Sequence, residues 1–469
     1  MRCGVVVHHE AIYRSVSSVK VYGMKTLLCA AVIGVIGLNF SASAETLNWP
    51  QFRGPNGNGH ADADNVPTNW SASDGVKWRT PIDGKGWSSP VVADGKIWLT
   101  TAVEVKPTEA EAKKIMAEQG IDEKKFKLLQ VAKYIELKLA VLDFESGKIE
   151  REIALTKIDT PDSIHALNSY ASPTPVIDGD RIFAHFGTYG TFCIDRKSGE
   201  VVWIKTLPLV HSVGPGSSPF IHDDLLVLIC DGVDQQYVTA LNKNTGEEVW
   251  KTDRPAMRAA KGDQKKSYNT PIAIRDKNGR EQLICMGSQW LISYDSATGK
   301  EIWKLDHGSG FSVVPRPVYS EKHGLIYIST GFGKPELWAI DPTGSGDITK
   351  SDLVAWKEAK RIPARPSPLV VGDELYVVTD AGVATCFNAA DGTVNWQERV
   401  DGNYSASPMF ADGKIYLASH EGKVTILKPS KTFESVSIVE MGEQIMASPI
   451  AFDGGLVMRS ADAMYRIGK

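Results

Sequence analysis

The chain has 469 residues, of which 42% are hydrophobic and 23% are charged, and its formal net charge is −4. This composition is ordinary for a globular protein and excludes a disordered or collagen-like chain. The small excess of acidic residues also offers no basic surface for nucleic acid or anionic lipid.

The first element in chain order is a predicted signal peptide at residues 24–44. The short positive segment Met24-Lys25 precedes an apolar run over residues 27–38 and the small-residue cleavage site Ala42-Ser43-Ala44. The apolar run is shorter than the roughly 20 residues that a transmembrane helix needs, and an uncleaved anchor is the alternative. We therefore expect cleavage after Ala44 and a periplasmic or extracellular protein. Whether translation starts at Met1 or at Met24 stays open.

A repeated unit fills the rest of the chain. Each copy opens with a small hydroxyl residue and proline, or an equivalent, followed by an apolar run, a glycine-containing turn and a second apolar run. Asp-Gly between two such runs predicts a β-hairpin, because a type I′ turn needs a positive φ at both central residues. The eight starts are Ser89-Pro90, Ser172-Pro173, Ser218-Pro219, Thr270-Pro271, Pro315-Arg316-Pro317, Ser367-Pro368, Ser407-Pro408 and Ser448-Pro449.

The second half of the unit has a fixed spacing. A third strand ends at Asp or Asn, glycine follows four residues later and tryptophan four residues after that, as at Asn242, Gly246 and Trp250. Each unit is thus a four-stranded antiparallel meander of propeller-blade size. The regular recurrence of the tryptophans predicts that they pack between blades. They are Trp203, Trp250, Trp303, Trp356 and Trp396, with Trp78 before the first unit.

The chain is therefore predicted to be all-β, an eight-bladed β-propeller. The last unit ends without room for a fourth strand, and residues 76–79, with Trp78, are predicted to complete the eighth blade, which removes free sheet edges. Residues 1–44 are upstream sequence and signal peptide, residues 45–75 are an extension that packs on the propeller, and residues 76–469 form the propeller itself. We expect a monomer.

Residues 240–250 resemble the tryptophan-docking repeat of the pyrroloquinoline-quinone (PQQ) dehydrogenases and of the outer-membrane assembly propeller lipoprotein. The resemblance extends from about residue 49 to the C-terminus and implies the eight-bladed fold. In the dehydrogenases this fold binds PQQ and a calcium ion. Those enzymes also contain a catalytic Asp and commonly a disulfide between adjacent cysteines. This chain has no adjacent cysteines, and no motif places the calcium ligands or the Asp. We therefore expect no cofactor, no metal and no catalytic residues, with PQQ and calcium as the alternative.

Four cysteines remain after the predicted cleavage site, and all lie in apolar runs, which predicts buried free thiols: Cys193, Cys230, Cys285 and Cys386.

One insertion also departs from the repeat. Residues 107–133 lack turn chemistry and are rich in Ala, Glu, Lys and Leu, so we expect two short helices divided by Gly120, with Asp122 capping the second. The insertion leaves from the irregular face of blade 1 and either overhangs the channel or decorates the surface.

Meander connectivity predicts where a binding site lies. The connections into the first strand of each blade and between its second and third strands share one face, called here the loop face; the short uniform turns form the hairpin face. Variable loops on a rigid scaffold are the usual place for binding, although every propeller has such a polar rim. The candidate ligand or partner residues on the loop face are Tyr170, Tyr189, Tyr268, Asn269, Trp290, Arg316, Arg365, Asn403 and Tyr404.

These observations favour a non-catalytic binding or protein-interaction scaffold over an enzyme. A PQQ-dependent dehydrogenase-like quinoprotein is the alternative, because fold alone does not determine function. The ligand or partner itself has no signature in the sequence.

Overall fold

The computed structural model describes residues 47–71 and 74–469, which form mainly antiparallel sheets with one α-helix. The predicted signal peptide lies outside the described residues. Within the described ranges, no helix is both long and apolar enough to cross a membrane.

The first half of the chain contains the strand that completes blade 8, the strands of blades 1 to 4 and the insertion of blade 1. In chain order these elements are β1 (Val76–Pro81), β2 (Val91–Ala93), β3 (Lys96–Val105), α1 (Glu109–Glu118), β4 (Leu129–Gln130), β5 (Tyr134–Asp143), β6 (Ile149–Asp159), β7 (Ile164–His165), β8 (Val176–Asp178), β9 (Arg181–His185), β10 (Thr191–Asp195), β11 (Val201–Lys205), β12 (Phe220–His222), β13 (Leu225–Asp231), β14 (Gln236–Asn242), β15 (Glu248–Asp253), β16 (Ile272–Arg275), β17 (Glu281–Met286), β18 (Trp290–Tyr294) and β19 (Glu301–Asp306). Three 3₁₀ turns lie at Glu123–Lys125, Gly187–Tyr189 and Gly262–Gln264.

The strands of the last four blades follow the same plan. They are β20 (Val318–Ser320), β21 (Leu325–Ser329), β22 (Leu337–Ile340), β23 (Gly346–Asp347), β24 (Val354–Glu358), β25 (Leu369–Val371), β26 (Glu374–Val378), β27 (Val383–Asn388), β28 (Val394–Arg399), β29 (Met409–Ala411), β30 (Lys414–Ala418), β31 (Lys423–Leu427), β32 (Ser435–Glu440), β33 (Ile450–Phe452), β34 (Gly455–Arg459) and β35 (Ala463–Gly468).

These strands form eight blades, which confirms the predicted fold. The first blade has the order β2-β3-β5-β6, and the following blades repeat the four-stranded meander. The first strands of neighbouring blades contact one another: β2 contacts β8, and β25 contacts β29. The first strands therefore surround the central channel. Ring closure is also as predicted: β1 completes the eighth blade by pairing with β35, with Arg79 opposite Tyr465.

Two details differ from the sequence-based expectation. The first strand of blade 2 starts after Thr174-Pro175 and not after Ser172-Pro173, because β8 begins at Val176. Blade 4 has a fifth strand, since β23 from the long turn of blade 5 pairs in parallel with β19. That turn therefore covers an outer sheet edge that would otherwise be free.

The docking tryptophans join consecutive blades. Five of them donate an indole hydrogen bond to a backbone carbonyl in the turn of the next blade; for example, Trp250 donates to Ser296 at 2.8 Å. Trp303 instead donates to the Gln282 side chain of its own blade at 2.6 Å. In blade 1, Arg151 occupies the tryptophan position and donates to the Arg196 carbonyl of blade 2 at 2.6 Å.

We expect Gly299→Ala to destabilise the protein by about 3 kcal/mol. Gly299 has φ +67, and an added Cβ would lie 2.4 Å from the ring of Trp250, so the variant combines a left-handed backbone penalty with overpacking. Gly279→Ala is the matched control, because its φ is +80 but nothing lies within 4 Å of the added atom; it should cost only about 1 kcal/mol. Thermal unfolding of both variants measures the difference, and equal losses would show that the tryptophan contact is unimportant.

The segment before β1 contacts the first strands of several blades. Trp49 pairs with Val92 of blade 1, and the amide of Ile177 in blade 2 donates to the Pro50 carbonyl at 2.8 Å. His60 pairs with Phe410 of blade 7. These contacts place residues 49–60 across the hairpin-face end of the channel.

Candidate binding cavity

The central channel contains a cavity of about 700 Å³ on the loop face. The connection into the first strand of every blade contributes to its lining, so all eight blades surround it. Phe52, from the segment before β1, also lines it and forms the floor of the cavity. The volume is in the range of sites that bind small molecules or a short stretch of a larger partner.

A ring of hydroxyl groups surrounds the inner part of the cavity. Seven of the eight blades supply the Ser or Thr that precedes the first-strand proline, and Arg316 has this position in blade 5. Side chains here are small because eight backbones converge around the axis. The hydroxyl residues are Ser89, Thr174, Ser218, Thr270, Ser367, Ser407 and Ser448.

The hydroxyl ring also joins neighbouring blades. The backbone N–H of Ser89 donates to the Thr174 hydroxyl at 3.0 Å, and that of Thr174 donates to the Ser218 hydroxyl at 3.0 Å. The same bond continues from Ser218 to Thr270 and around blades 5 to 8. Each oxygen that accepts an amide also carries an O–H proton; that of Ser407 donates to the Ser367 hydroxyl at 3.0 Å, and the others can donate to a ligand. The ring therefore suits a ligand rich in hydrogen-bond acceptors.

The wall nearer the loop face is apolar. Leu128, Leu167 and Phe332 line the cavity while remaining 56%, 44% and 37% exposed. Exposed apolar side chains that converge on one opening are typical of a binding surface. The other apolar lining residues are Trp87, Leu129, Val213, Pro215, Phe311, Val314 and Met446.

The charged side chains of the cavity are mainly cationic. Lys125, Lys266 and Arg365 line it, with Asp263 as the one carboxylate among the described lining residues. Lys266 bonds Asp263 at 3.0 Å, and burial lowers the pKa of Lys266. Burial would raise the pKa of Asp263, but hydrogen bonds from Ser212 and Lys266 outweigh it and lower that pKa. Lys125 also lies 3.8 Å from Asp263, and Arg365 pairs with Asp380. Three cations thus face two carboxylates, and the small excess of positive charge favours an anionic or acceptor-rich ligand.

The insertion of blade 1 extends over this cavity. α1 begins at a capping box formed by Thr108 and Glu111, and Asp122 accepts the Lys124 amide at the start of the following 3₁₀ turn. A single turn therefore stands where a second helix was expected. β4 pairs with β7, which places Leu128 in the cavity wall. The insertion thus contributes to the cavity and is more than surface decoration.

Of the nine candidate binding residues, Tyr268 and Arg365 line the cavity. Arg365 is half-buried and pairs with Asp380, and the Tyr268 hydroxyl donates to the His211 carbonyl at 3.0 Å. Arg316, in blade 5, is buried and donates to the Phe52 carbonyl at 2.6 Å.

The other six candidates lie outside the lining. Tyr170 and Tyr404 are fully buried, with hydroxyls that donate to the Asp162 and Asp401 carbonyls. The remaining four have hydrogen-bond partners within the protein. Asn269 is buried and donates to the Pro315 carbonyl, and the Tyr189 hydroxyl accepts the Asp162 amide. Trp290 is half-buried and donates to the Ala256 carbonyl, and Asn403 is exposed and pairs with Glu421.

Sequence reasoning missed most of the lining. Lys125, Leu128, Phe311 and Phe332 come from loops whose course no local pattern predicts. The hydroxyl ring had a usable signal, because its residues recur once per blade immediately before the first-strand proline.

A second group of potential ligands lies on the hairpin face. Potential ligand atoms of His222, Asp223 and Glu281 lie within 4.8 Å of one another. The His222 Nε2 atom is already 2.8 Å from Glu281, and Arg275 bonds the other oxygen of Glu281 at 2.9 Å. These side chains therefore form a hydrogen-bonded cluster at the protein surface.

The lining residues do not suit PQQ with calcium. Calcium takes six to eight oxygen ligands that include carboxylates, whereas Asp263 is already bonded to Lys266 and Ser212. The four cysteines that the structure describes are buried, unpaired and absent from the lining, as their apolar surroundings predicted.

Comparisons with known proteins support an assignment to a family. The family profile of outer membrane protein assembly factor BamB matches residues 109–252 and 287–444, more than half of the chain. BamB from Moraxella catarrhalis has a similar structure, with a TM-score of 0.54 and 14% identity, covering 84% of this chain and 99% of that one.

Curated relatives match over a shorter length. The quinone-dependent 1-butanol dehydrogenase of Thauera butanivorans is 23% identical over 50% of this chain and 36% of its own length. Tetrathionate hydrolase of Acidithiobacillus ferrooxidans is 22% identical over 52% of this chain and 49% of its own length. The chain therefore spans half or less of these two proteins.

Proposed function

The chain belongs to the family of outer membrane protein assembly factor BamB, and we propose that it is a non-catalytic binding propeller of the periplasm or the extracellular space. The observation that carries this proposal is the cavity itself, with exposed apolar residues at its opening and donors further in. Such a site binds a ligand or partner segment that has an apolar part and an acceptor-rich or anionic end. No acid–base or metal chemistry is needed for that role.

A fluorescent aromatic sulfonate, 8-anilinonaphthalene-1-sulfonate, tests the proposed cavity because it combines an apolar body with an anionic group. We expect one main site per chain. Leu128→Ser and Phe332→Ser should each weaken binding about five- to tenfold, which is the loss of about 1 kcal/mol expected at an anchoring contact. Fluorescence titration of the purified variants measures the change.

Matched controls come from the outer strand of blade 2, where Val202 and Ile204 are 44% and 56% exposed. Val202→Ser and Ile204→Ser should leave the dissociation constant unchanged. Equal losses in these controls would mean that the probe binds exposed apolar surface in general. Arg365→Ala should weaken binding as well, whereas Trp290→Ala should not, because only Arg365 lines the cavity.

A quinoprotein dehydrogenase is the second candidate, favoured by the likeness to 1-butanol dehydrogenase. Adding PQQ and Ca²⁺ to the purified protein distinguishes the two functions. We expect no bound-quinone absorption and no dye-linked alcohol oxidation, because the lining lacks the carboxylates that would hold calcium. Stoichiometric uptake with turnover would overturn the binding-propeller proposal.

A further inference from the structure

One side of the cavity mouth carries a local excess of positive charge. Two loop-face segments supply it: residues 122–127 of the blade 1 insertion and residues 261–266 of the connection between β15 and β16. Together they contain six lysines and three acidic residues, a net charge of +3, although the whole chain has a net charge of −4. These lysines, called here the basic cluster, are Lys124, Lys125, Lys127, Lys261, Lys265 and Lys266.

The two segments of the basic cluster lie side by side. Lys125 Nζ is 3.8 Å from one carboxylate oxygen of Asp263, and Lys266 Nζ is 3.0 Å from the other. A single carboxylate therefore lies between lysines of two different loops. Three further lysines of the cluster are exposed and form no salt bridge with any side chain that the structure describes: Lys124, Lys127 and Lys261. Their charge is available to a partner.

The opposite side of the same rim is acidic. The loop-face connections of blades 7 and 8 are residues 400–408, 419–422, 441–449 and 460–462, and they contain four acidic residues but neither lysine nor arginine. From the adjoining strands, Lys423 pairs with the first and Arg79 with the third of these acids. The four are Asp401, Glu421, Glu443 and Asp462. An anionic partner is therefore directed toward the basic cluster and away from blades 7 and 8.

The basic cluster continues directly into the apolar wall of the cavity. Leu128 follows Lys127 in the chain, is 56% exposed and lines the cavity. From the rim inward, a partner thus meets positive charge, then apolar side chains, then the hydroxyl ring. An anionic lipid would place its acyl chain deepest, against hydroxyl groups. A polypeptide instead offers carboxylates, apolar side chains and backbone carbonyls, and these carbonyls are acceptors for the hydroxyl protons.

We infer that the partner is an extended acidic segment of another protein, with its carboxylates on the basic cluster and an apolar side chain against Leu128 and Phe332. The inference rests on the proposed binding function and names the class of partner for that site. A cavity of about 700 Å³ admits only a short part of such a segment, so the acidic residues on either side of the apolar anchor lie along the rim.

A fluorescein-labelled copolymer of glutamate and tyrosine tests this assignment, because it combines carboxylates with apolar side chains in one polypeptide. Fluorescence anisotropy should show that the protein binds this copolymer about fivefold or more tightly than polyglutamate of the same length, which lacks the apolar anchor. The affinity should fall as sodium chloride is added, since exposed charges are screened by salt.

Lys124→Glu combined with Lys127→Glu should weaken binding of the copolymer about tenfold or more, because both positive charges become negative. The matched control is Lys148→Glu combined with Lys300→Glu, two exposed lysines in hairpin-face turns. It changes the net charge of the protein by the same amount and should change the affinity less than about twofold. Equal losses in both variants would mean that the copolymer responds to overall charge, and the assigned surface would be wrong.

Two further measurements separate the partner from the cavity. If the unsubstituted protein binds 8-anilinonaphthalene-1-sulfonate but not the copolymer, the inference is overturned while the binding function stands. If it binds neither, the proposed function fails as well. Sedimentation with phosphatidylglycerol vesicles that is lost in the Lys124→Glu and Lys127→Glu variant, without binding of the copolymer, would assign the basic cluster to an anionic lipid and likewise overturn the inference.

Discussion

Arg254→Met is expected to lower the free energy of unfolding by about 3–5 kcal/mol, because it leaves the Asp231 carboxylate buried without its counter-charge. The two side chains are 1% and 0% exposed. Arg254 Nε and Nη2 donate to the two carboxylate oxygens at 3.1 and 3.0 Å, and Nη1 donates to the Cys285 carbonyl at 2.9 Å. The pair therefore joins blade 3 to blade 4.

This ion pair also supports the candidate cavity. The Asp231 carbonyl accepts the Ser267 amide at 3.1 Å, and Ser267 lies between Lys266 and Tyr268 of the cavity wall. We therefore expect the variant to weaken binding of the sulfonate probe as well as stability.

Urea unfolding of three variants measures the effect. Arg254→Met with Asp231→Leu should regain much of the lost stability, since no buried charge remains. Arg258→Met is the surface control: Arg258 pairs with Asp306, but its side chain is 63% exposed, so its loss should stay below about 1 kcal/mol. If Arg254→Met lowers the free energy of unfolding as little as Arg258→Met does, the ion pair between Arg254 and Asp231 does not stabilise the protein as proposed.

The fold could be predicted because its signals are local. The spacing from Asn242 through Gly246 to Trp250 specifies a turn and a docking residue within one blade. The start of blade 2 was ambiguous, because Ser172-Pro173 and Thr174-Pro175 follow each other directly. Contacts between separate elements decide between them: β8 begins at Val176, and the Ser89 amide of blade 1 donates to the Thr174 hydroxyl.

The candidate site could be predicted only to the level of a face. Meander connectivity correctly indicates which loops surround the channel opening. It does not indicate which way a side chain points: Tyr170 and Tyr404 lie in such loops, yet both turn inward to donate to nearby backbone carbonyls. The fifth strand of blade 4 had no local signal at all, since residues 346–347 pair with a strand of the preceding blade.

Acidification is expected to destabilise the protein steeply between about pH 6 and pH 4.5. Burial lowers the pKa of His185 to about 3, with a contribution from His211, and burial lowers the pKa values of His211 and His307 to about 4. In the unfolded chain these groups have pKa values of about 6.5. As the pH falls through this window, these three histidines therefore bind up to three protons in the unfolded state that they do not bind in the folded state.

The resulting slope is about 4 kcal/mol per pH unit near pH 5, since each unmatched proton contributes about 1.4 kcal/mol. His307→Asn should reduce it by about a third, because one of the three titrating groups is removed. The His307 Nε2 atom lies 2.9 Å from the Gly287 carbonyl, and the shorter asparagine amide gives up that hydrogen bond, which lowers stability but not the slope. Thr191→Val is the control: it removes the hydroxyl 2.8 Å from His185 Nδ1 but no titrating group, so it should lower stability and keep the slope. Urea titrations at several pH values measure all three proteins. A slope unaffected by His307→Asn would mean that the buried histidines do not cause the acid sensitivity.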